Sequence, residues 1–288
     1  VNQHVCIIRS GGSLEPEYLS FYFSTDEFQK FIMGSQAGAT RQALTKTMIE
    51  NFQVPIADLK EQRLIAAQLR AQMAEVERAR AAVQAQLDDA QALVHAIVRE
   101  SLHQPGKQKF QIHECLAEVT KGIGDQWKDF PVLGATRSGL ALAKEGVGKY
   151  PWRYKPVTTG TVFYNPMRIL LGSIAMVTAE DEPGITSPDY VVMRGIEGRL
   201  NPDWFYQWFR SPAGAKFIES LTRGAVRERL LFSRLAPAQI EVPTMENQNR
   251  TVEQFRQISK LRKSLETRLA EIERLPAALL RRAFNPQN

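Results

Sequence analysis

Residues 59–102 constrain the fold most, because they contain neither Pro nor Gly and favour one long helix. Apolar side chains recur there every seven residues along two lines, as in a coiled-coil seam. The first line is Leu69, Val76, Val83, Ala90 and Ile97; the second is Met73, Leu87 and Val94, interrupted by Arg80 and Ser101. At about 1.5 Å per residue, such a helix is roughly 65 Å long. The pattern predicts a partner helix, although a linker helix crossing one domain is the alternative.

A second heptad pattern near the C-terminus provides that partner. Its lines are Ile258, Leu265, Ile272 and Leu279, and Phe255, Leu269 and Ala283, with Arg262 and Pro276 as exceptions. A shift of 182 positions superimposes the two seams and places Arg80 on Arg262; a polar residue in a seam commonly fixes its alignment. We expect antiparallel pairing, because the intervening domain can return the chain to the start of its partner. The expected helix-pairing residues are Val76, Arg80, Val83, Leu87, Ile97, Ile258, Arg262, Leu265, Leu269 and Leu279.

The segment before each long helix is repeated as well. Eleven identities recur 186 positions apart between residues 14–53 and residues 200–239. A period this long indicates duplicated domains rather than a solenoid. The change of offset from 186 to 182 predicts a small net deletion after the aligned pair Gln53 and Gln239 and before the long helices.

These patterns divide the chain into four parts. Residues 1–57 are the C-terminal remnant of a first domain, 58–103 the first long helix, 104–245 a second, complete domain, and 246–284 the second long helix. The second domain is predicted to contain short strands at residues 130–133, 161–164, 169–171 and 190–193. The expected fold class is α+β: a mixed domain, two long helices in an antiparallel coiled coil, and the remnant of a repeated domain. Because the sequence opens at Val1, we expect a fragment that lacks the body of its first domain.

Composition narrows the class of protein. No apolar run approaches the ~18 residues of a membrane span, and nothing resembles a signal peptide. Cys6 and Cys115 are isolated and the four His residues have no ligand spacing, so neither a disulfide framework nor a zinc site is expected. A reduced, cytoplasmic location is expected. The net charge of +6 permits a polyanionic partner.

Positive charge is concentrated between residues 121 and 168, where eight Lys and Arg residues outnumber three acids and aromatic residues are interleaved. Cationic side chains neutralise phosphates, and planar or hydrogen-bonding side chains contact bases. The pattern therefore favours a DNA-binding surface, with an ordinary solvated surface as the alternative. The candidate contact residues here are Arg137, Lys149, Trp152, Arg153, Lys155, Tyr164 and Arg168.

A second basic segment covers residues 223–232. Its Gly-centred loop carries three Arg residues and leads into a predicted helix, an arrangement that can hold a phosphate at the helix N-terminus. The candidates are Arg223, Arg227 and Arg229. Alternatively, Arg227 braces the loop through an ion pair.

Enzyme motifs are matched poorly. Residues 164–167 approach the signature of adenine methyltransferases, but Met167 replaces its second Pro and no glycine-rich cofactor loop precedes it. Pro188 and Asp189, followed by residues 197–199, approach a nuclease pattern, but Arg199 stands where Lys is needed. No P-loop, H-E-x-x-H or G-x-S-x-G motif occurs. We therefore expect neither a catalytic residue nor a metal ligand.

The order of domain, long helix, domain, long helix resembles the specificity subunit of type I restriction–modification systems. Residues 130–140 (FPVLGATRSGL) are similar to an early Gly-Ala…Gly segment of that family. Residues 164–169 (YNPMRI), 172–174 (GSI) and 184–192 (GITSPDYVV) are similar to its Tyr-Asn-x-Met-Arg…Gly…Ser-Pro-x-Tyr core. The Gly-x-x-Arg loop and Glu61-Gln62 at the first long helix match too, whereas the second helix has Asn247-Gln248.

This resemblance implies a non-catalytic DNA reader. In the family, each target recognition domain reads one half of a bipartite site on double-stranded DNA. The antiparallel helices act as a ruler between the halves and dock two methyltransferase (modification) subunits. The assembled complex methylates adenine with S-adenosylmethionine and, with the restriction subunit, cleaves DNA with ATP and Mg. The resemblance assigns these cofactors to the partner subunits and no cofactor to this chain.

Two other functions stay open on sequence alone. One is the recognition module of a fused restriction–methyltransferase enzyme. The other is a coiled-coil scaffold that assembles proteins without contacting DNA. Neutralising the basic residues between 121 and 168 separates the scaffold from the DNA reader, because a scaffold does not depend on those charges.

Overall fold

A computed structural model describes residues 7–35, 46–223 and 229–285. The chain forms two compact units, one of residues 1–88 and 262–288 and one of residues 89–261. Both unit boundaries fall inside long helices, so each long helix contributes to both units. Within the described ranges, no helix has the length and apolar character needed to cross a membrane.

The described helices are α1 (Pro16–Phe23), α2 (Asp26–Ser35), α3 (Lys46–Glu50), α4 (Leu59–His103), α5 (Ile112–Cys115), α6 (Pro202–Arg210), α7 (Pro212–Thr222), α8 (Phe232–Leu235), α9 (Met245–Ile272) and α10 (Leu275–Phe284). Two of them, α4 and α9, are long, and the others are short.

Helix α4 is the predicted long helix. The Asp58 carboxylate accepts a hydrogen bond from the Glu61 N–H at 2.8 Å and caps the first turn. The helix continues for 45 residues to His103, and shortly after it Gly106 adopts the left-handed conformation, with a φ of 82°, which glycine tolerates best. The second long helix differs from the prediction, since α9 ends at Ile272 and α10 begins at Leu275. Pro276 lacks the N–H that a continuous helix needs and instead lies in the first turn of a new one.

In the first unit, α4 pairs with α9 and α10 in antiparallel orientation. The seam residues form one apolar cluster that contains Val76, Ala79, Val83, Leu87, Leu265, Leu269, Ile272 and Leu279. Tyr18 of α1 contacts Phe284 at the end of α10, with ring centroids 5.0 Å apart. Glu15, beside α1, forms an ion pair with Arg63 in the second turn of α4 at 3.2 Å. The start of α4 and the end of α10 therefore lie at the same end of this unit.

The two arginines of the predicted seam occupy different environments. Arg80 is exposed and forms an ion pair with Glu77 of its own helix at 3.3 Å, so its prediction as a seam residue is wrong. The small side chain of Ala79 contacts the apolar cluster in its place. Arg262 is half-buried and forms an ion pair with Glu266 at 3.5 Å.

The described strands all lie in the second unit. They are β1 (Gln108–Gln111), β2 (Leu116–Glu118), β3 (Leu133–Thr136), β4 (Gly139–Leu142), β5 (Lys155–Val157), β6 (Thr161–Tyr164), β7 (Ile174–Met176), β8 (Gly184–Thr186), β9 (Val191–Gly195) and β10 (Gln239–Val242). An antiparallel sheet has the order β2-β9-β6-β7, and the antiparallel pairs β1-β10, β3-β4 and β5-β8 complete the set.

The predicted strand at residues 161–164 is β6, and the predictions at 130–133 and 190–193 overlap β3 and β9 in part. The prediction at 169–171 is wrong, because those residues form one turn of 3₁₀ helix. A turn precedes this 3₁₀ helix, in which the Asn165 carbonyl accepts a hydrogen bond from the Arg168 N–H at 3.0 Å. Gly172, with a φ of 80°, ends the turn in the left-handed region.

The core of the second unit forms where β6 packs against the aromatic helix α6. Trp204, Phe205 and Phe209 are completely buried there, together with Tyr164 of β6. The second half of α4 and the first half of α9 complete this core with Ala90, Val94, Val98, Val252, Phe255 and Ile258, and Ile97 packs against it half-buried. Burial of several aromatic side chains supplies a large hydrophobic stabilisation for a small domain.

A buried glutamine joins α4 to the segment that precedes α1. The Gln62 side chain is 0% exposed. It accepts a hydrogen bond from the Glu15 N–H at 2.8 Å and donates to the carbonyls of Ser13 at 3.1 Å and Ala57 at 2.7 Å. Every partner is a backbone atom, and the amide uses both its oxygen and its nitrogen.

The second unit contains the same joint 186 positions later. Gln248 is also 0% exposed; it accepts from the Asn201 N–H at 2.7 Å and donates to the carbonyls of Arg199 at 3.3 Å and Pro243 at 2.9 Å. The offset of 186 therefore continues into the long helices. The second copy loses its four residues (186 − 182 = 4) inside the helix, and the prediction of a deletion before the helix is wrong.

Candidate nucleic-acid interface

The β3–β4 hairpin presents Arg137 at its turn. The Thr136 hydroxyl donates to the Gly139 carbonyl at 3.0 Å and accepts from the Ser138 N–H at 3.2 Å. Gly139 has a φ of 112°, which a residue with a side chain rarely adopts. This tight turn leaves the Arg137 side chain exposed.

The segment after β6 presents Arg168 in the same region. The Asn165 carboxamide oxygen accepts from the Met167 N–H at 3.0 Å and forms an Asx turn, which leaves Arg168 exposed. The buried Ser173 hydroxyl donates to the Ala135 carbonyl of β3 at 2.6 Å. The segment is thereby fixed to the strand that leads into the hairpin turn.

Arg137 and Arg168 line one open cleft of about 1120 Å³ in the second unit. Lys144 lines it as well, and Glu145 provides the one carboxylate among the lining residues. Exposed apolar side chains, such as Leu142 and Leu171, lie at the same cleft. Cations suit phosphates and guanine edges, and apolar side chains suit thymine methyl groups. The cleft therefore has the chemistry to contact both the backbone and the bases of DNA.

An exposed aromatic pair lies in the loop before β5. Tyr150 and Trp152 are 46% and 50% exposed, and their rings make an edge contact with centroids 5.5 Å apart. The Lys149 ammonium lies 5.5 Å from the Tyr150 ring centroid, a cation–π distance. Tyr154 lines the cleft, and its hydroxyl accepts a hydrogen bond from the Gly148 N–H at 2.9 Å, which links the loop to the cleft wall. Three of the predicted contacts are exposed in this loop: Lys149, Trp152 and Arg153.

Two of the predicted DNA contacts are wholly or partly buried. Tyr164 is 0% exposed and burial raises the pKa of its phenol far above the usual range, so the prediction that it contacts DNA is wrong. Lys155 is half-buried, and its ammonium donates to the Tyr190 carbonyl at 2.7 Å. Burial lowers the pKa of Lys155, against the opposite effect of the carboxylates of Glu118 and Asp189. Lys155 therefore links β5 to the residue that precedes β9, and its contact with DNA stays a prediction.

The second basic segment is described only in part. Arg223, at the end of α7, is exposed, and Arg227 lies outside the described residues. Arg229 is half-buried, and the N–H of the next residue, Leu230, donates to the Pro166 carbonyl at 3.1 Å. Leu230 therefore lies against the segment that carries Arg168. The phosphate loop itself stays a prediction.

Sequence reasoning missed Arg210, the last residue of α6. Its guanidinium donates to the Arg137 carbonyl at 2.7 Å, to the Ile174 carbonyl at 3.0 Å and to the Tyr206 hydroxyl at 2.7 Å. The internal repeat gave no signal for it, because Ser24 occupies the equivalent position 186 residues earlier. An Arg at the end of an amphipathic helix is also unremarkable by itself.

No group of three His, Cys, Asp or Glu residues in the described part of the chain is placed to hold a metal ion. Cys115 is completely buried, and burial raises the pKa of its thiol to about 11. This thiol is therefore protonated and unreactive at neutral pH. Cys6 lies outside the described residues.

Known proteins are similar to this chain in sequence and in fold. Residues 1–83 match the family model described as the type I restriction modification DNA specificity domain. A comparison with curated proteins gives no match. One similar solved chain comes from work on complex assembly and conformational transition of the type I R-M system. It matches with a TM-score of 0.68 and 18% sequence identity, over 97% of this chain and 73% of that chain.

Two solved specificity subunits are also similar. The HsdS subunit from Thermoanaerobacter tengcongensis has a TM-score of 0.52 and 19% identity over 96% of this chain and 71% of that subunit. The S subunit of the type I restriction–modification system of M. genitalium has a TM-score of 0.55 and 12% identity over 96% and 74% of the two chains. Residues 1–83 thus match the type I DNA specificity domain in sequence, and the chain has the fold of the type I restriction–modification specificity subunits, which confirms the resemblance that its motifs indicated.

Proposed function

We propose that this chain is the non-catalytic DNA specificity subunit of a type I restriction–modification complex. The observation that carries the proposal is the cleft of the second unit, where Arg137 and Arg168 lie beside exposed apolar side chains. These two arginines come from separate motifs, and hydrogen bonds through Ser173 hold their segments together. A built cleft with mixed cationic and apolar walls supports sequence reading better than a diffuse basic surface does.

The proposed division of labour follows from the family. The domain at residues 104–245 reads one half of a bipartite site, and a first recognition domain, of which residues 1–57 are the end, reads the other half. The paired long helices set the distance between the halves and dock the methyltransferase subunits. S-adenosylmethionine, ATP and Mg act in those subunits and in the restriction subunit.

Selection from a pool of randomised duplexes tests this proposal on the full chain. We expect enrichment of one short half-site sequence. Replacing both Arg137 and Arg168 by Ala should weaken binding and reduce the slope of log K against log salt by up to about 0.9 for each lost phosphate contact. An arginine that reads a base should instead reduce discrimination between the enriched and the random duplex.

The matched control replaces Lys216 and Lys260 by Ala, which removes two exposed charges from the same unit outside the cleft. This control should keep both the enriched sequence and the salt slope of the unaltered chain, apart from a small general charge effect. Equal losses in both variants would show that the cleft is not the reading surface. Absence of any enriched duplex, with partner assembly intact, would favour the scaffold.

A further inference from the structure

The turn that carries Arg137 rests directly on the last turn of α6. A Cβ atom added at Gly139 would lie 3.0 Å from the Tyr206 hydroxyl and 3.2 Å from a guanidinium nitrogen of Arg210. Both distances are shorter than ordinary van der Waals contacts of a carbon atom. The hairpin therefore packs so closely against Tyr206 and Arg210 that a side chain at residue 139 would have to displace them.

The donors of Arg210 are directed at three parts of the second unit. Nη2 donates to the Arg137 carbonyl in the turn, while Nη1 donates to the Ile174 carbonyl of β7 and to the Tyr206 hydroxyl of α6. The guanidinium carbon also lies 5.3 Å from the Tyr206 ring centroid. A planar guanidinium can serve several acceptors at once in fixed directions, and a lysine ammonium cannot reproduce that geometry.

The position of the turn also affects the second arginine of the cleft. A Cβ atom at Gly172 would lie 3.6 Å from Cγ of Arg137, so the turn packs against the end of the Arg168 segment. The Ser173 N–H donates to the Arg168 carbonyl at 3.3 Å, and the Ser173 hydroxyl donates to Ala135 of β3. A shift of the turn would therefore change the relative placement of both arginines.

We propose that Arg210 is a positioning residue for DNA reading, acting through the backbone of Arg137. The inference rests on the proposed function and deepens it. Direct readout by an arginine needs a fixed side-chain origin, because two hydrogen bonds must reach one base edge at the same time. Contacts to phosphates tolerate more movement. Release of the turn should therefore reduce discrimination between DNA sequences more than it reduces binding to random duplex.

The test uses Arg210→Lys, Arg137→Ala and the double variant of the full chain. Arg210→Lys keeps the positive charge, so a changed net charge cannot explain its effect. We expect its discrimination between the enriched and the random duplex to fall about tenfold, within the range of one good base contact. On the Arg137→Ala background, the same substitution should reduce discrimination by much less than tenfold, because the arginine whose carbonyl Arg210 binds has lost its side chain and only the effect on Arg168 remains.

Hydrogen exchange at the Ser138 and Gly139 amides is a readout that needs no DNA. Arg210→Lys should accelerate it, with no comparable change in the β6 amides. If Arg210→Lys does not fold, Gly139→Ala displaces the turn by pressing its Cβ against Tyr206 and Arg210 while Arg210 itself is kept, and it should cause the same loss of discrimination. Unchanged exchange, unchanged discrimination, or full additivity with Arg137→Ala would overturn the positioning role. Faster exchange in a chain that shows no duplex selectivity would instead contradict the proposed function, and the positioning role in DNA reading would fail with it.

Discussion

Trp204 donates its indole N–H to the Ser101 hydroxyl at 3.0 Å, and both side chains are buried. This hydrogen bond joins the aromatic helix α6 to α4 across 103 positions of sequence. It explains why a serine interrupts the apolar pattern of α4 at residue 101, since the indole needs a polar partner in the core. Ser101 in turn donates to the Val98 carbonyl at 2.7 Å, so the hydroxyl is fully used.

Ser101→Ala should therefore lower the free energy of unfolding by about 1–3 kcal/mol, because it leaves a buried indole N–H unpaired. Ser220→Ala is the matched control: the exposed Ser220 hydroxyl makes the same kind of local bond, to the Phe217 carbonyl at 2.6 Å, but has no buried donor to satisfy. The control should stay within about 0.5 kcal/mol of the unaltered chain. Urea unfolding followed by circular dichroism compares them, and equal values would contradict the role given to Ser101.

The helix seam makes a second stability prediction. Leu265 is 7% exposed in the cluster with Val83, whereas Leu261, one turn earlier on α9, is 53% exposed. Leu265→Ala should cost about 2–5 kcal/mol, and Leu261→Ala should remain within about 0.5 kcal/mol. Thermal unfolding of the two variants, which share one chemical change on one helix, measures the difference. A larger loss at residue 261 would mean that the seam has another register.

Gln248→Leu should lower the free energy of unfolding of the second unit by at least about 1 kcal/mol. The substitution leaves the Asn201 N–H and the carbonyls of Arg199 and Pro243 buried without their hydrogen-bond partner. Gln248→Glu offers a sharper comparison. Its carboxylate can accept from the Asn201 N–H but would face the carbonyl oxygens of Arg199 and Pro243. Burial beside these oxygens favours the protonated acid, so the loss of stability relative to the unaltered chain should be smaller at pH 5 than at pH 7. The exposed Gln257→Leu is the control on the same helix. A Gln248→Glu variant without this pH dependence would contradict the geometry of the joint.

His95 should make stability depend on pH. Burial lowers its pKa below the usual 6.5, and the nearby positive charge of Arg210 lowers it further. As the pH falls below about 6.5, the imidazole is protonated in the unfolded chain but stays neutral in the folded one. The free energy of unfolding therefore falls as the pH falls. His95→Gln should flatten this decline between pH 7.5 and pH 5.5 in urea titrations. The same substitution at the exposed His103 controls for loss of an imidazole, and a decline that persists in His95→Gln would assign it to other groups.

Sequence reasoning succeeded where structure depends on local periodicity. The seven-residue pattern was enough to predict α4, because a helix and its buried face are properties of neighbouring residues. It failed for Arg80, since Ala79 next to it can face the seam as well and the pattern does not decide between them. It also failed for residues 169–171, whose apolar composition suits a strand but whose backbone is committed to a turn by Asn165.

The cleft was predictable only in part for a related reason. Arg137 and Arg168 could be named as candidates because a concentration of Lys and Arg residues between 121 and 168 is visible in sequence. Tyr164 was misassigned because β6 is buried on both faces, and composition cannot tell a buried strand from a surface strand in a basic region. Arg210 was missed because its partner Arg137 is 73 positions away, and nothing local marks a guanidinium that binds a distant carbonyl.

The glutamine joint has a consequence for how such a chain can change over generations. All three partners of Gln62 are backbone atoms, and the residues that supply them differ in the second copy: Ser13 is replaced by Arg199, Glu15 by Asn201 and Ala57 by Pro243. Every peptide unit offers the same carbonyl, and nearly every one the same N–H, so the glutamine is indifferent to the side chains around it. Mutation can thus alter the neighbouring side chains while the junction between the domain and its long helix is kept.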